Sequence, residues 1–280
     1  MPDADIETGP ALARALLEEQ HPDLAGLSLR PVAEGWDNVV LRLGDDLALR
    51  LPRRRVAAAL IRHEQQVLPA IAARVPVAVP APVRVGTPSA RFPFPWSVVP
   101  WFAGAPVAGA ALRDDGALAD ALAAFVAALH VPVEDAPPNP VRGVPLRDRD
   151  DAMTERLAVL QDPRLDRLWH EALDVPAWDG PPLQLHGDLH PGNLVQHQGR
   201  LVAVVDFGDT TAGDPATDVA TAWLTLGPGA RERFRAALRP DDGTWGRARG
   251  WALCMAAALV VDGSPSTDAI GRAALVEVLR

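Results

Sequence analysis

No lysine and no tyrosine occur among the 280 residues, and there is one cysteine. A single thiol excludes an internal disulfide and a cysteine-based zinc site. Cys254 lies in "WALCMAAALV", where a small buried hydrophobe is the ordinary reading. All 27 basic residues are arginine, so any task usually given to lysine falls to arginine here. Long apolar runs are also missing. "ALADALAAFVAALH" is broken by charge, and no run reaches the roughly 20 residues of a membrane span. The start, "MPDADIETGP", is acidic and lacks the basic and apolar stretches of a secretory signal, so a cytoplasmic location is the default expectation. The chain also lacks the basic excess expected of a nucleic-acid binder: its net charge is −9. Residues 105–280 carry that charge, with 25 acids against 16 arginines, while residues 1–104 balance at 11 each. Such a C-terminal part would attract a cationic partner.

What is present is an ordinary globular composition, 48% hydrophobic and 22% charged. "GPALARALLEEQHPDL" has helical spacing, with Pro10 placed near a helix start. "LSLRPVA", "NVVLRLG" and "LALRLP" read as strands, and "GDD" between the last two is a hairpin signal. "VAAALIRHEQQVLPAIAARV" is the next helix, and short strands follow in "PVAVPAPVRVGTP" and "FPFPWSVVPWFAG". Residues 1–104 therefore form an α+β region with an antiparallel sheet. Residues 105–280 are mainly helical, with three helices expected from Pro215 to Arg280. The proline-rich stretch 131–149 is either functional or a connector.

The chemistry concentrates in "HGDLHPGN" and "VVDFGD". Asp188 precedes Asn193 by five positions, and Asp206 follows thirteen later, at the end of an apolar strand. "NLVQHQGRLVAVVD" reads as strand, turn, strand, a hairpin that brings Asn193 and Asp206 together at its open end. An amide oxygen and a carboxylate make a hard oxygen site suited to Mg²⁺. Asp188 is then left to orient a nucleophile, the arrangement that phosphoryl transfer needs. A zinc site at His186 and His190 would need a helix, which Gly187, Pro191 and Gly192 oppose. His186 is expected to brace the loop from the core, and His190 to be a loop residue near the site.

These two stretches resemble the aminoglycoside phosphotransferase family, whose fold is protein-kinase-like. "HGDLHPGN" is similar to its catalytic loop, "VVDFGD" to its metal-binding segment, and "GDPATDVA" also looks familial. The resemblance covers roughly residues 30 to 225. It implies two lobes: residues 1–104, nucleotide-binding and including the hinge, and residues 105–280, catalytic and acceptor-binding. It implies Asp188 as the catalytic residue, Asn193 and Asp206 as Mg²⁺ ligands, and Arg50, positioned by Glu64, as the clamp on the phosphates. Arg50 stands where the family usually has lysine, which keeps the charge but changes its shape. The kinase glycine pattern is reduced to Gly35 in "AEGWDNVV", which leaves Asn38 and Arg50 to hold phosphate. "WSVVPWFAG" is similar to the hinge, with Val99 and Trp101 beside the base.

The activity implied is transfer of the γ-phosphate of ATP or GTP to a hydroxyl of an aminoglycoside-like or other small molecule, in the manner of antibiotic-resistance enzymes. Kinases of choline, homoserine or fructosamine, macrolide phosphotransferases, and a weak nucleotide-binding pseudokinase are the alternatives. Asp148, Asp150, Asp151 and Glu155, with Trp223, Trp245 and Trp251, are candidates to line a cationic acceptor's pocket. Asp214 is expected to cap a helix, Asp218 to brace the catalytic loop, and Asp209 either to lie next to the site or to be merely solvated. No nucleic-acid or membrane partner is expected, and the chain is expected to be a monomer or homodimer.

Overall fold

The computed structural model describes residues 5–34, 38–107, 114–262 and 265–280. The hairpin tip at Gly35 lies outside the described residues. The backbone separates into two compact units. The first comprises Met1–Ala73, Ala78–Ala103 and Asp206–Gly208. The second comprises Arg74–Val77, Gly104–Val205 and Asp209–Arg280.

The first unit is an antiparallel sheet with two helices. Helix α1 (Pro10–Gln20) begins with a proline, whose missing N–H is no loss in a first turn. Strands β1 (Leu29–Glu34), β2 (Asn38–Leu43) and β3 (Leu47–Pro52) run as a meander. Helix α2 (Arg55–Ala72) follows, then β4 (Arg84–Gly86) and β5 (Trp96–Pro100). The strand order is β1-β2-β3-β5-β4. The turn from β2 to β3 passes through Gly44 at φ 61°, a conformation glycine adopts without strain. Alternation buries Val39, Leu41 and Leu43 on one face of β2, against Leu16 and Leu17 of α1, Leu49, Leu51 and Trp96. Each fully buried leucine contributes roughly 1.5–3 kcal/mol. Gly86 is required there, because the Trp96 indole occupies the space of a Cβ.

The second unit is mainly helical. Helix α3 (Gly116–Leu129) starts at Asp115, whose carboxylate accepts from the N–H groups of Ala117 and Leu118. Helices α4 (Asp150–Leu160) and α5 (Pro163–Leu173) pack on the later helix α9 (Asp242–Val261). Strand β6 (Ala105–Pro106) joins β8 (Leu194–His197) and β9 (Arg200–Val204); β7 (Leu183–Leu185) pairs with β10 (Thr211–Gly213). Helix α9 is buried without interruption from Gly250 to Ala257, Cys254 included, which makes it the core helix of this unit.

The tail differs from the three helices expected. Short helices α6 (Ala216–Val219) and α7 (Thr221–Thr225) precede α8 (Pro228–Leu238), α9 and α10 (Pro265–Val278). The physical reason is burial: Ala216 to Leu226 is buried on all sides and shows no amphipathic period to mark a helix. Asp214 caps this segment by accepting from the Ala216 N–H at 3.0 Å, and it pairs with Arg247 of α9 at 2.7 Å. Both side chains of that pair are about 5% exposed or less, so the segment is tied to the core helix by a desolvated ion pair.

Candidate active site

In the second unit, β7 delivers His186, Gly187 and Asp188 into a loop held from below by one carboxylate. Asp218 of α6, 0% exposed, accepts from the His186 N–H at 2.8 Å and the Gly187 N–H at 2.9 Å. His130, just after α3, donates Nε2–H to it at 3.2 Å. Burial alone would raise this carboxyl; the His130 bond, the nearby imidazoles and the Gly187 N–H outweigh that and hold it below its ordinary value. Gly187 has φ 87°, and a Cβ there would collide with the Asp209 carbonyl. His186 is fully buried; its Nδ1 accepts from the Asp188 N–H at 3.2 Å, which leaves Nε2–H to donate to the Val205 carbonyl at 3.0 Å. The loop is braced from the core, as the sequence implied.

The Asp188 side chain is 26% exposed, so a ligand can reach it. Oδ1 accepts from the Arg142 guanidinium at 3.0 Å. Oδ2 lies 3.4 Å from His190 Nε2 and 3.3 Å from Asn193 Nδ2. His190 Nδ1 accepts from the Gly192 N–H, so its proton sits on Nε2, facing Asp188. Burial would raise the Asp188 carboxyl. His190 first, then Arg142 and His186, outweigh it and hold it well below the usual carboxylate range.

Asn193 ends a turn of 3₁₀ helix, Pro191–Asn193. Its Nδ2 also donates to the Asp188 carbonyl at 2.8 Å. Two acceptors fix which end of the amide faces Asp188 and turn Oδ1 away as an open acceptor. The Val205 N–H bonds the Asn193 carbonyl at 2.9 Å, so the β8–β9 hairpin closes up to the residue before Asp206.

In the first unit, Arg50 on β3 donates to Glu64 on α2 at 2.7 Å, with side chains 11% and 4% exposed. Burial raises the Glu64 carboxyl; Arg50 opposes this, Asp206 adds to it, and the Phe207 N–H opposes it. Asp206 is exposed and adopts φ 65°, a left-handed conformation that aspartate tolerates better than most residues. An amide oxygen and an exposed carboxylate are donors of the kind that Mg²⁺ takes from a protein, so Asn193 in the second unit and Asp206 in the first each carry a suitable atom.

A model of the phosphotransferase enzyme family, APH, matches residues 28–251. The chain belongs to this family. Over 118 residues it is 29% identical to an aminoglycoside 3'-phosphotransferase of Escherichia coli, a stretch that is 39% of this chain and 44% of that relative. The match thus spans less than half the length of the curated relative. Among solved structures, the GDP complex of aminoglycoside 2'-phosphotransferase-IIIa has a TM-score of 0.72 at 21% identity, covering 97% of this chain and 99% of the other. A macrolide 2'-phosphotransferase from Brachybacterium faecium has a TM-score of 0.64 at 22% identity, covering 95% and 98%. The fold is the two-lobed, protein-kinase-like α+β architecture, with a small antiparallel sheet and a mainly helical remainder.

In this APH-family chain the other candidates fare differently. The Oδ1 atom of Asn38 is buried with no partner among the described residues. Val99 sits in β5 opposite Ala48. The Trp101 N–H is engaged by the Asp46 carbonyl at 2.7 Å, and Arg42 lies 5.0 Å over its ring. Its carbonyl and indole are what remain for a base. Trp223 and Trp251 are 5% and 0% exposed, and Trp223 packs on Trp245 and Arg231, so neither offers an open face to an acceptor. Asp150 accepts from Trp169 Nε1 at 2.8 Å, a core contact, while Asp148, Asp151 and Glu155 are exposed. Arg142 and His130 were missed by the sequence reading. Arg142 lies 46 positions from Asp188 and His130 lies 88 from Asp218, beyond the reach of any local pattern.

Proposed function

We propose that the chain transfers the γ-phosphate of ATP or GTP to a hydroxyl of a small molecule. The observation that carries this reading is the pair Asp188 and Asn193: one loop holds a half-buried, fixed carboxylate and, beside it, an amide whose oxygen is left open. Asp188 orients the acceptor hydroxyl and takes its proton late. As the new oxygen–phosphorus bond forms, the bond from the γ-phosphorus to the bridging oxygen breaks and the nucleoside diphosphate leaves. Arg50, aimed by Glu64, holds the phosphates, with Asn38 beside them and Val99 and Trp101 at the base. Asn193 Oδ1 and Asp206 would hold Mg²⁺, which when bound supplies charge neutralisation on the phosphate oxygens. The protein's contribution is positioning and preorganised charge.

A nucleotide donor is supported by the GDP complex of the 21%-identical structural relative. For the acceptor, an aminoglycoside-like molecule is favoured by the aminoglycoside 3'-phosphotransferase match. The intact Arg50–Glu64 pair favours an enzyme over a degenerate nucleotide-binding module. No described helix is long and apolar enough to cross a membrane; a cytoplasmic location without a membrane partner is part of the proposal. The net charge of −9 speaks against nucleic acid. Residues 1–104 serve the nucleotide and residues 105–280 the acceptor, in a monomer or homodimer.

The test is a thermal-shift titration with MgATP and MgGTP, followed by a transfer screen. The acceptors are aminoglycosides, macrolides, choline, homoserine and simple aminosugars. Binding with transfer to one class is the expected result. Binding without any transfer would favour the degenerate module, and no binding at all would remove the kinase reading.

A further inference from the structure

Arg142 stands in the proline-rich connector between α3 and α4, and it joins two carboxylates. Its guanidinium reaches Asp188 Oδ1 at 3.0 Å and Asp209 Oδ2 at 3.4 Å. Asp209 is itself fixed, because Asn139 Nδ2 donates to its carbonyl at 3.2 Å and its Oδ1 at 3.1 Å. Asn139 also returns to its own loop: its Oδ1 accepts from the Val141 N–H at 3.0 Å and the Arg142 N–H at 3.1 Å. Asn139 therefore sets both the backbone that carries Arg142 and the carboxylate that receives it.

The connector does not need the Arg142 side chain to stay in place. The Gly143 N–H donates to Thr217 Oγ1 at 3.2 Å. The Asp214 N–H donates to the Gly143 carbonyl at 2.9 Å, and Thr211 Oγ1 donates to the Pro137 carbonyl at 2.8 Å. With the loop anchored on both sides, a half-buried guanidinium aimed at Asp188 has another use. Burial would lower the charged state of Arg142, and Asp188 and Asp209 together more than reverse that. The triad of Asp188, Arg142 and Asp209 carries one net negative charge.

We propose that Arg142 is a positioning residue for phosphoryl transfer, which holds one oxygen of Asp188 so that the other is presented to the acceptor hydroxyl, while Asp209 sets where the guanidinium sits. This rests on the kinase reading above. Each Asp188 oxygen has a fixed neighbour: Arg142 on Oδ1, and His190 with Asn193 on Oδ2. The carboxylate cannot rotate without giving up a charge-assisted bond. The guanidinium donates one hydrogen bond to Asp188 and lies in ion-pair range of Asp209 through Nε, a two-carboxylate contact that a single ammonium reproduces less well.

The experiment compares wild type with R142A, R142K and D209N, using the best acceptor from the screen. Steady-state rates, MgATP affinity by calorimetry and the thermal midpoint are read together. R142A is expected to lose about 10²-fold in kcat, the cost of a misplaced reacting group. Acceptor KM and MgATP Kd should stay within about threefold. R142K keeps the charge without the fork and should recover part of the rate. D209N leaves Arg142 on Asp188 but loosens it, so its loss should be about tenfold at an unchanged midpoint. Guanidinium ion, well below unfolding concentrations, should restore part of the R142A rate. Wild-type kcat in R142A, or a loss matched by an equal loss of folded protein, would overturn the role of Arg142 alone. Wild type that binds MgATP but transfers to no acceptor would overturn the kinase reading and this inference with it.

Discussion

Asn193 turns its amide nitrogen onto Asp188, 2.8 Å from the carbonyl oxygen and 3.3 Å from Oδ2. A single side chain thereby fixes the backbone and the carboxylate of the residue five positions before it. The same contact decides the direction of its own oxygen.

Asp188→Asn removes the proposed proton acceptor and places an amide against the Asn193 and His190 donors. Turnover should fall by about 10²–10⁴-fold, while MgATP affinity stays near wild type. Calorimetry with MgATP, paired with a single-turnover transfer assay, separates the two. Unchanged turnover would remove Asp188 from the mechanism.

Asp206→Ala should act on the other half of the reaction. It removes one of the two oxygen donors proposed for Mg²⁺, so nucleotide affinity should weaken in the presence of Mg²⁺ and change little in its absence. A titration of ATP with and without the metal checks this. An equal loss in both conditions would assign Asp206 to the nucleotide rather than the ion.

Glu64→Ala removes the carboxylate to which the Arg50 guanidinium, 11% exposed, donates at 2.7 Å. Breaking a desolvated ion pair by removing one member costs about 3–5 kcal/mol. Urea unfolding should show a lower midpoint at an unaltered slope. A shift below about 1 kcal/mol would place the pair in the surface class.

Asp218 gives a pH dependence with a definite sign. Its folded carboxyl lies below its ordinary value, so the unfolded chain takes up its proton first as acid is added. The stability it contributes is complete above the unfolded pKa of about 3.9. It is lost as pH falls from there through the folded value. Asp218→Asn should flatten this acid limb and, by setting an amide against two backbone N–H groups, cost about 1–3 kcal/mol at neutral pH. Denaturant midpoints of both proteins between pH 3 and pH 7, about the range that carboxylates govern, make the comparison. Parallel curves would show that the charge of Asp218 does not matter.

What could be read from the sequence is what lies close together along it. Asp188 and Asn193 share one loop and could be read from their spacing, whereas the pairing of Arg50 with Glu64, on a strand and helix in direct succession, was implied by the family resemblance. The first three strands announced themselves as strand-like runs and by the turn at Gly44, and the next two as short strands in proline-rich extended chain. Strands β7 and β10 have three residues each and pair Leu185 with Thr211, too short to show a period and too far apart to show a turn. The helices around Thr221 were merged into the tail because burial on every side erases amphipathicity. Arg142 was invisible for a different reason: the connector's prolines read as spacing, and only folding carries the guanidinium across 46 positions to Asp188.

The single thiol of the chain lies inside α9, 2% exposed, and burial, partly offset by Arg149, Arg142 and Arg156, pushes it above its ordinary value. A maleimide meets no ready thiolate on the native protein. The wild-type chain is therefore its own blank for labelling. One cysteine introduced at an exposed position such as Val85, 46% exposed on the edge strand β4, would carry a fluorophore alone. Nucleotide and acceptor binding could then be followed by light from a chosen point, without first engineering the native thiol away.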